Sequence, residues 1–296
     1  MFTASGKRTE KDWTGYTLIL PCISVGNVGQ LAVDLIISTL CLDKTGHLYN
    51  DSIIPVIGND PFATGDLTKV CRLMTAAEVF ESAQHKLIMV QLRSSLVPSK
   101  REQFLLKLMS WIKSCQFCQV IMLTSSFAHE RRDTQLEGTQ LRYVASSHFT
   151  KTEAANIIRN TRNWQGLEER GSPPAFKSSD DDHNGSDVRH VNVSETAEET
   201  AAKEECSKVY IPGGGFAKSL LQKCIANGIP AVILLRFCSE GDNICDAVEL
   251  VTMLNKIIGA EPKPSEWWLE DTFILAFTVW KWFPTDALPV TSRQPG

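Results

Sequence analysis

The chain has 296 residues, of which 43% are hydrophobic and 22% charged, and its formal net charge is -4. These proportions are typical of a soluble globular protein and exclude a fibrous or largely disordered chain. Because 34 acidic residues outnumber 30 basic ones, the composition disfavours nucleic acid as a partner.

No segment of the sequence is typical of secretion or of membrane insertion. Residues 1–12 lack an apolar stretch of signal-peptide length, and the apolar run 272–283 is shorter than the roughly 20 residues that a spanning helix needs. The nine cysteines are an odd number in apolar contexts, which indicates a reducing compartment. We therefore expect an intracellular protein that has no membrane among its partners.

The first unit of the chain is predicted to be a strand, a turn and a helix. Residues 16–21 form a short apolar run of β type, and an apolar helix is predicted over 28–40 with Asn27 as its N-cap. The turn between them contains Gly26 and Gly29. Because the helix is apolar almost all round, it should pack against a sheet or a partner chain. Its candidate partner contacts are Val28, Leu31 and Leu35.

Strands and helices alternate through the next part of the sequence. The apolar run 85–92 predicts a strand, residues 100–114 have helical periodicity, and residues 119–126 predict another strand. This alternation predicts an α/β fold with a mostly parallel central sheet and helices on both faces. We expect a single domain over residues 13–258.

A change in composition interrupts this pattern at residues 168–205. The segment has 11 acidic and 4 basic residues and no apolar periodicity, which predicts a flexible acidic loop. The pattern then resumes with a predicted strand at 208–211. A helix over 216–227, a strand at 231–237 and a helix over 243–258 follow.

The glycine turns at residues 26–29 and at Gly213, Gly214 and Gly215 allow two interpretations. Glycines before a helix can bind phosphate through backbone amides, but neither of these two turns matches a complete nucleotide-binding motif. The turn before the last helix consists of Glu240, Gly241 and Asp242, with Asp242 as the predicted N-cap. We favour a structural purpose, namely a tight turn and close packing of helix on sheet.

A possible acyl-transfer site lies at the end of the strand at 119–126. Residues 124–126 and His129 follow this strand, and Asp60 and Asp242 are predicted at the same edge of the sheet. The sequence has no nucleophile-elbow motif, and serine-rich strand ends are common turns. We therefore favour an ordinary turn with His129 on the surface.

The remaining candidate site is a pair of cysteines at a helix end. Cys115 and Cys118 have no second pair and no histidine at ligand spacing, so two packed thiols are favoured over zinc. We expect neither a metal nor a cofactor.

The C-terminal tail, residues 259–296, diverges from the pattern of the domain. Tryptophan and phenylalanine are dense between residues 265 and 283, which is more apolar area than an isolated tail usually exposes. Either the tail docks on the domain or it forms an interaction surface, and the sequence leaves both possibilities open.

Several long motifs resemble those of the proteasome assembly chaperone 2 family. They are LPCISVGNVGQLAVDLIISTL, QLRSS with the following helix that ends in LMSWIKSC, YIPGGGFAKSL and RFCSEGDNICDAVELV. The resemblance covers about residues 13–165 and 206–258. The acidic segment is longer than expected for the family, and the C-terminus lacks the family's short hydrophobic tail.

The resemblance implies a non-enzymatic chaperone for assembly of the 20S proteasome core. It implies a heterodimer with proteasome assembly chaperone 1 that binds proteasome α subunits, promotes α-ring formation and prevents off-pathway α-ring dimers. The alternative is an α/β enzyme of nucleoside-phosphorylase-like or hydrolase-like type that binds phosphate at the glycine-rich turns.

Overall fold

The computed structural model describes residues 1–5, 12–59, 61–62, 73–161, 164–170 and 196–259. The strands in this part of the chain are β1 (Phe2–Ala4), β2 (Thr17–Pro21), β3 (Asp43–Leu48), β4 (Ile57–Gly58), β5 (Met74–Thr75), β6 (Ala77–Ser82), β7 (Leu87–Leu92), β8 (Gln119–Phe127), β9 (Leu141–Ala145), β10 (Gln165–Gly166) and β11 (Ala231–Cys238). The helices are α1 (Val28–Thr39), α2 (Arg101–Cys115), α3 (Glu153–Asn160), α4 (Ala197–Glu205), α5 (Ala217–Ala226) and α6 (Ile244–Ile258).

Nine of the strands form one mixed sheet in the order β1-β3-β6-β7-β2-β8-β11-β9-β10. The four central strands, β7, β2, β8 and β11, pair in parallel. The strands β1, β3 and β6 extend the sheet in antiparallel fashion at one end, and β9 pairs antiparallel to β11 at the other. The predicted α/β fold with a mostly parallel central sheet is confirmed, and the antiparallel ends are an addition to it.

Helices cover both faces of the sheet, as predicted. The core on one face includes side chains of α2, α4 and α5, and the core on the other includes side chains of α1, α3 and α6. Successive residues of a strand point to opposite faces, so Leu18 and Leu20 belong to the first core and Ile19 to the second. The central strands therefore appear in the sequence as unbroken apolar runs.

The predicted strand at 208–211 is wrong. These residues follow a turn in an irregular conformation and do not pair with the sheet. The amide of Val209 instead donates to the carbonyl oxygen of Cys206 at 3.1 Å.

The end of the predicted acidic loop is a helix rather than a loop. Within the predicted range 168–205, α4 begins after Thr196, whose hydroxyl accepts a hydrogen bond from the amide of Glu199 while the Glu199 carboxylate accepts one from the amide of Thr196. This reciprocal capping satisfies two amides at the helix start. Ala202 of α4 is buried in the core.

Two predicted segments lie only partly within the described residues. Residues 171–195 of the acidic loop and residues 260–296 of the tail lie outside the described residues. None of the helices that the structure does describe has the length and apolarity needed to cross a bilayer.

Candidate functional site

The carboxyl ends of the parallel strands form the edge at which α/β proteins usually bind ligands. Three connections meet there: residues 22–27 after β2, residues 239–243 after β11, and the glycine turn 212–216 before α5. The sequence-predicted glycine turns therefore do lie together, and their geometry decides between phosphate binding and packing.

The first glycine turn places backbone where a side chain would collide. Gly26 has φ +65°, and an added Cβ there would overlap the side chain of Asn243. A Cβ on Gly29 would lie 2.6 Å from the carbonyl oxygen of Leu123, because α1 crosses closely over β8. Both glycines are thus required by packing and turn geometry.

Asn27 does not cap α1 in the predicted manner. It occupies the position before the helix but has φ 51°, and its side chain accepts no hydrogen bond from a helix amide. Its Oδ1 instead accepts a hydrogen bond from Nε2 of Gln30 at 3.3 Å. The left-handed backbone turns the side chain away from the amides that a standard N-cap would bind.

The second glycine turn is equally crowded. Gly213 and Gly215 have φ values of +75° and +62°. A Cβ on Gly213 would lie 2.8 Å from the ring of Phe127, and one on Gly215 would overlap the carbonyl oxygen of Ile23. Gly214 has ordinary φ, but a Cβ there would overlap the side chain of Ile211.

Hydrogen bonds within the chain join the two glycine turns to β8. The amide of Val25 donates to the carbonyl oxygen of Gly213 at 3.0 Å. The hydroxyl of Thr124 donates to the carbonyl oxygen of Gly214 at 3.1 Å, and that of Ser126 donates to the carbonyl oxygen of Pro212 at 2.8 Å. The hydroxyls of Thr124 and Ser126, which the sequence suggests as part of a reactive cluster, therefore donate to backbone carbonyl oxygens of the second glycine turn.

Lys218 is the residue that a phosphate-binding reading of this turn would need. Its ammonium group donates to the carbonyl oxygen of Val209 at 2.7 Å. This hydrogen bond connects the irregular segment 208–211 to the first turn of α5. The phosphate-binding enzyme alternative gains no support from this arrangement.

The described residues do not assemble an acyl-transfer site. Ser125 is fully buried, and its hydroxyl lies 2.7 Å from that of Ser24 and donates to the carbonyl oxygen of Val25. His129 is exposed, as predicted, and its ring packs against Phe127 with the centroids 5.0 Å apart. Asp60 lies outside the described residues.

The third connection carries the Glu240, Gly241 and Asp242 motif. Gly241 has φ +136°. The predicted N-cap is displaced by one residue, because Asn243 precedes α6 directly. Asp242 still binds the helix start, since its Oδ1 accepts a hydrogen bond from the amide of Ile244 at 3.1 Å.

The cysteine pair at the end of α2 shows no metal-binding geometry. Within the described ranges, no group of three or more His, Cys, Asp or Glu side chains is placed to hold an ion. The Sγ atom of Cys118 lies 3.6 Å from the hydroxyl of Thr17, and burial raises the pKa of the Cys115 thiol. Cys115 is half-buried, as a packed thiol should be, whereas Cys118 is exposed, so the expectation of two packed thiols holds for Cys115 only.

The three candidate partner contacts on α1 are not on the surface. Val28, Leu31 and Leu35 are 0%, 6% and 6% exposed and belong to the core between the sheet and α6. Their assignment to a partner surface is therefore wrong for the chain as described. α1 is covered by the sheet on one side and by α6 on another, and the sequence placed α6 in the fold but not against α1.

A buried ion pair beside α1 was missed by the sequence reasoning. The guanidinium of Arg93 donates two hydrogen bonds to the carboxylate of Asp34 at 2.8 and 2.7 Å, and both side chains are almost fully buried. The amide group of Gln91 donates to the carbonyl oxygen of Gln30 nearby, at 2.8 Å. The signal was Asp34, the single charged residue of a largely apolar helix.

These observations define the class of protein. It is an α/β protein with a mixed nine-stranded sheet whose carboxyl edge is closed by its own loops. The chain belongs to the PAC2 family, whose sequence model matches residues 18–267.

Individual relatives agree with this assignment. The chain is 38% identical over 257 residues to Proteasome assembly chaperone 2 of Xenopus tropicalis, covering 86% of this chain and 87% of the relative. It is 38% identical over 258 residues to the Homo sapiens protein of that name, covering 86% of each. The predicted resemblance is confirmed.

A solved structure supports the fold. Pyrococcus furiosus PbaA, described as an archaeal homolog of proteasome-assembly chaperone, matches with a TM-score of 0.58 over 90% of this chain and 91% of its own. The two sequences are only 15% identical, so this match shows a shared fold and nothing finer.

Proposed function

We propose that the chain is a non-enzymatic chaperone for assembly of the 20S proteasome core. It acts as a heterodimer with proteasome assembly chaperone 1, binds proteasome α subunits, promotes α-ring formation and keeps α rings from pairing with each other. The observation that carries the proposal is the 38% identity to relatives named Proteasome assembly chaperone 2, which extends over 86% of this chain.

The geometry of the carboxyl edge supports a binding role. The serine and threonine hydroxyls that would serve an enzyme donate to carbonyl oxygens of the glycine turns. A binding protein acts through its surface. We place it in the cytoplasm and nucleus, and the odd number of cysteines is consistent with such a reducing compartment.

The proposal is tested by co-expressing the chain with proteasome assembly chaperone 1 and separating the products by size-exclusion chromatography. We expect a one-to-one complex. Purified α subunits are then incubated with this complex, and we expect more single α rings and fewer paired rings than without it. A chain that stays apart from proteasome assembly chaperone 1 at micromolar concentration, and leaves α-ring formation unchanged, would contradict the proposal.

A further inference from the structure

Helix α4 is attached to the domain by few side chains. It packs on α5, yet Ala202 is the one buried residue among its nine. The other described helices each bury between three and ten residues. Because packing of buried side chains supplies most of the stability of a helix in a protein, α4 is the least firmly held of these helices.

The two ends of α4 make hydrogen bonds of different kinds. At its start, the hydroxyl of Thr196 and the carboxylate of Glu199 accept hydrogen bonds from amides of the helix start itself. At its end, the carboxylate of Glu205 accepts hydrogen bonds from the amide and the hydroxyl of Ser147 at 2.9 and 3.3 Å. Glu205 and Ser147 are both exposed, so water competes for these two hydrogen bonds. The contact with Ser147 is therefore a weak tether.

The chain after α4 is fixed to the domain by contacts that do not involve α4. The carbonyl oxygen of Lys208 accepts a hydrogen bond from the amide of Arg170 at 2.8 Å. The carbonyl oxygen of Val209 accepts one from the ammonium group of Lys218 at 2.7 Å. Ser207, which separates these residues from the helix, is exposed. The segment that ends at Ser207 can therefore leave the surface without breaking these contacts.

Cys206 lies directly after α4, on the helix side of Ser207. It is 1% exposed and belongs to the core that includes side chains of α4 and α5. Burial, together with the neighbouring charge of Glu205, raises the pKa of its thiol to about 11, so the thiol is protonated and unreactive while α4 is packed on α5. A movement of α4 away from α5 would carry Cys206 into solvent. The reactivity of this thiol therefore reports such a movement.

We infer that residues 196–207 form a hinged cover, which opens from α5 as a unit while the rest of the domain stays folded. The hinge is Ser207, between the buried Cys206 and the fixed Lys208. The closed form predominates, because Ala202 and Cys206 are buried in it. Opening exposes the side of α5 that packs against α4, so the cover controls access to this face of the domain. The inference does not depend on the proposed function.

The test measures how fast N-ethylmaleimide modifies three buried thiols of the full chain, those of Cys206, Cys22 and Cys224. Mass spectrometry gives each rate, which is divided by the rate of the same thiol in the urea-unfolded chain. On this scale we expect Cys206 to react at least tenfold faster than the other two. Its rate should change little with urea below the unfolding transition, because local opening exposes little surface. Equal protection of all three thiols, with the same urea dependence, would overturn the inference.

Two alanine variants test the tether. Glu205→Ala removes the acceptor of both hydrogen bonds from Ser147, whereas Glu204→Ala makes the same change at an exposed neighbour in the same helix. We expect at least threefold faster modification of Cys206 in the first variant and an unchanged rate in the second, with Cys22 unchanged in both. Faster modification of Cys206 and Cys22 alike in Glu205→Ala would indicate a general loss of stability and contradict a local opening.

Hydrogen exchange of the natural chain gives a second measurement that needs no variant. A helix of nine residues is marginally stable in water once it is detached, so opening also breaks the backbone hydrogen bonds of α4. We expect the amides of residues 200–206 to exchange at least tenfold faster than those of residues 221–225 in α5, relative to their rates in the unfolded chain. Exchange of both helices at the rate set by global unfolding would rule out the cover.

Discussion

Gly215 lies where the second glycine turn passes the chain that follows β2. Its φ of +62° belongs to the left-handed region, and the carbonyl oxygen of Ile23 occupies the space of a side chain. Two independent constraints therefore require glycine at this one position, whereas Gly214 is constrained by contact alone. The turn depends on the absence of a side chain, and no ligand is needed to explain it.

We expect Gly215→Ala to lower the free energy of unfolding by about 2–4 kcal/mol, because a strained backbone and a collision with backbone act together. Urea denaturation followed by circular dichroism measures the change. Gly166→Ala is the matched control, since its φ is not positive and nothing lies within 4 Å of an added Cβ. Equal stability of the two variants would contradict this account of the turn.

Glu168 joins the segment after β10 to a buried cation. The side chain of Arg142 is fully buried, and its Nε lies 3.4 Å from Oε2 of Glu168. Partial burial raises the pKa of Glu168, but hydrogen bonds from Gln135 and a backbone amide and the charge of Arg142 outweigh burial and lower the pKa overall. The ionised carboxylate is therefore favoured in the folded chain.

The lowered pKa gives a stability contribution with a defined pH dependence. It is present above the ordinary carboxyl pKa of 4.5 and is lost as the pH falls through the lowered value. Because Glu168 is partly exposed, we expect Glu168→Gln to cost only about 0.5–1 kcal/mol at pH 7, with a difference from the natural chain that shrinks below pH 4.5. Urea denaturation from pH 7 to pH 3.5 measures it. The exposed Glu137→Gln should be neutral throughout, and a constant difference for Glu168→Gln would exclude the ionic explanation.

At the scale of elements, α1 illustrates what local sequence determines and what it does not. The apolar run and the preceding turn predict a helix over 28–40, and the observed helix is Val28–Thr39. The helix that packs against α1 is α6, which lies more than 200 residues later in the chain. No local sequence pattern could therefore predict this contact. The error about Val28, Leu31 and Leu35 arose there.

Two of the elements that the sequence analysis did not predict, β6 and α4, were missed for different physical reasons. β6 contains Glu78, which is 2% exposed and pairs with Lys44 at 3.0 Å, so a buried charge interrupts the apolar pattern of the strand. α4 is rich in alanine and glutamate, which favour helix without apolar periodicity. The acidic composition of α4 was interpreted as a loop, although its capping signature is present in the sequence.

The boundaries of the acidic segment lead to a prediction. Replacing residues 171–195 by a short Gly/Ser linker leaves all described contacts in place, so we expect stability within about 0.5 kcal/mol of the natural chain. Replacing 168–205 removes the contact between Glu168 and Arg142 and the buried Ala202, and should cost about 2–4 kcal/mol. Denaturant midpoints compare the two. Equal losses of unfolding free energy in the two replacements would show that α4 and Glu168 contribute nothing to stability.

At the scale of the whole molecule, the centre of the sheet was predictable and its ends were not. β7, β2, β8 and β11 are buried on both faces, so their sequences are apolar runs that alternate with helices. The outer strands β1 and β10 are only three and two residues long, too short for any periodicity to be detected. The glycine turns could be recognised in the sequence. The contact between them depends on the order of the strands in the sheet, which the sequence does not reveal.

The parallel pairing at the centre of the sheet also constrains the order in which the chain can fold. In the register of β2 and β8, Thr17 lies opposite Gln119, 102 residues later, and β8 is then flanked by β11, which ends at Cys238. At a synthesis rate of about 5–20 residues per second, β2 must wait for seconds before its partner leaves the ribosome. High contact order of this kind slows folding and leaves apolar strands temporarily exposed. A protein proposed to chaperone the assembly of others is therefore itself expected to need protection while it is being made.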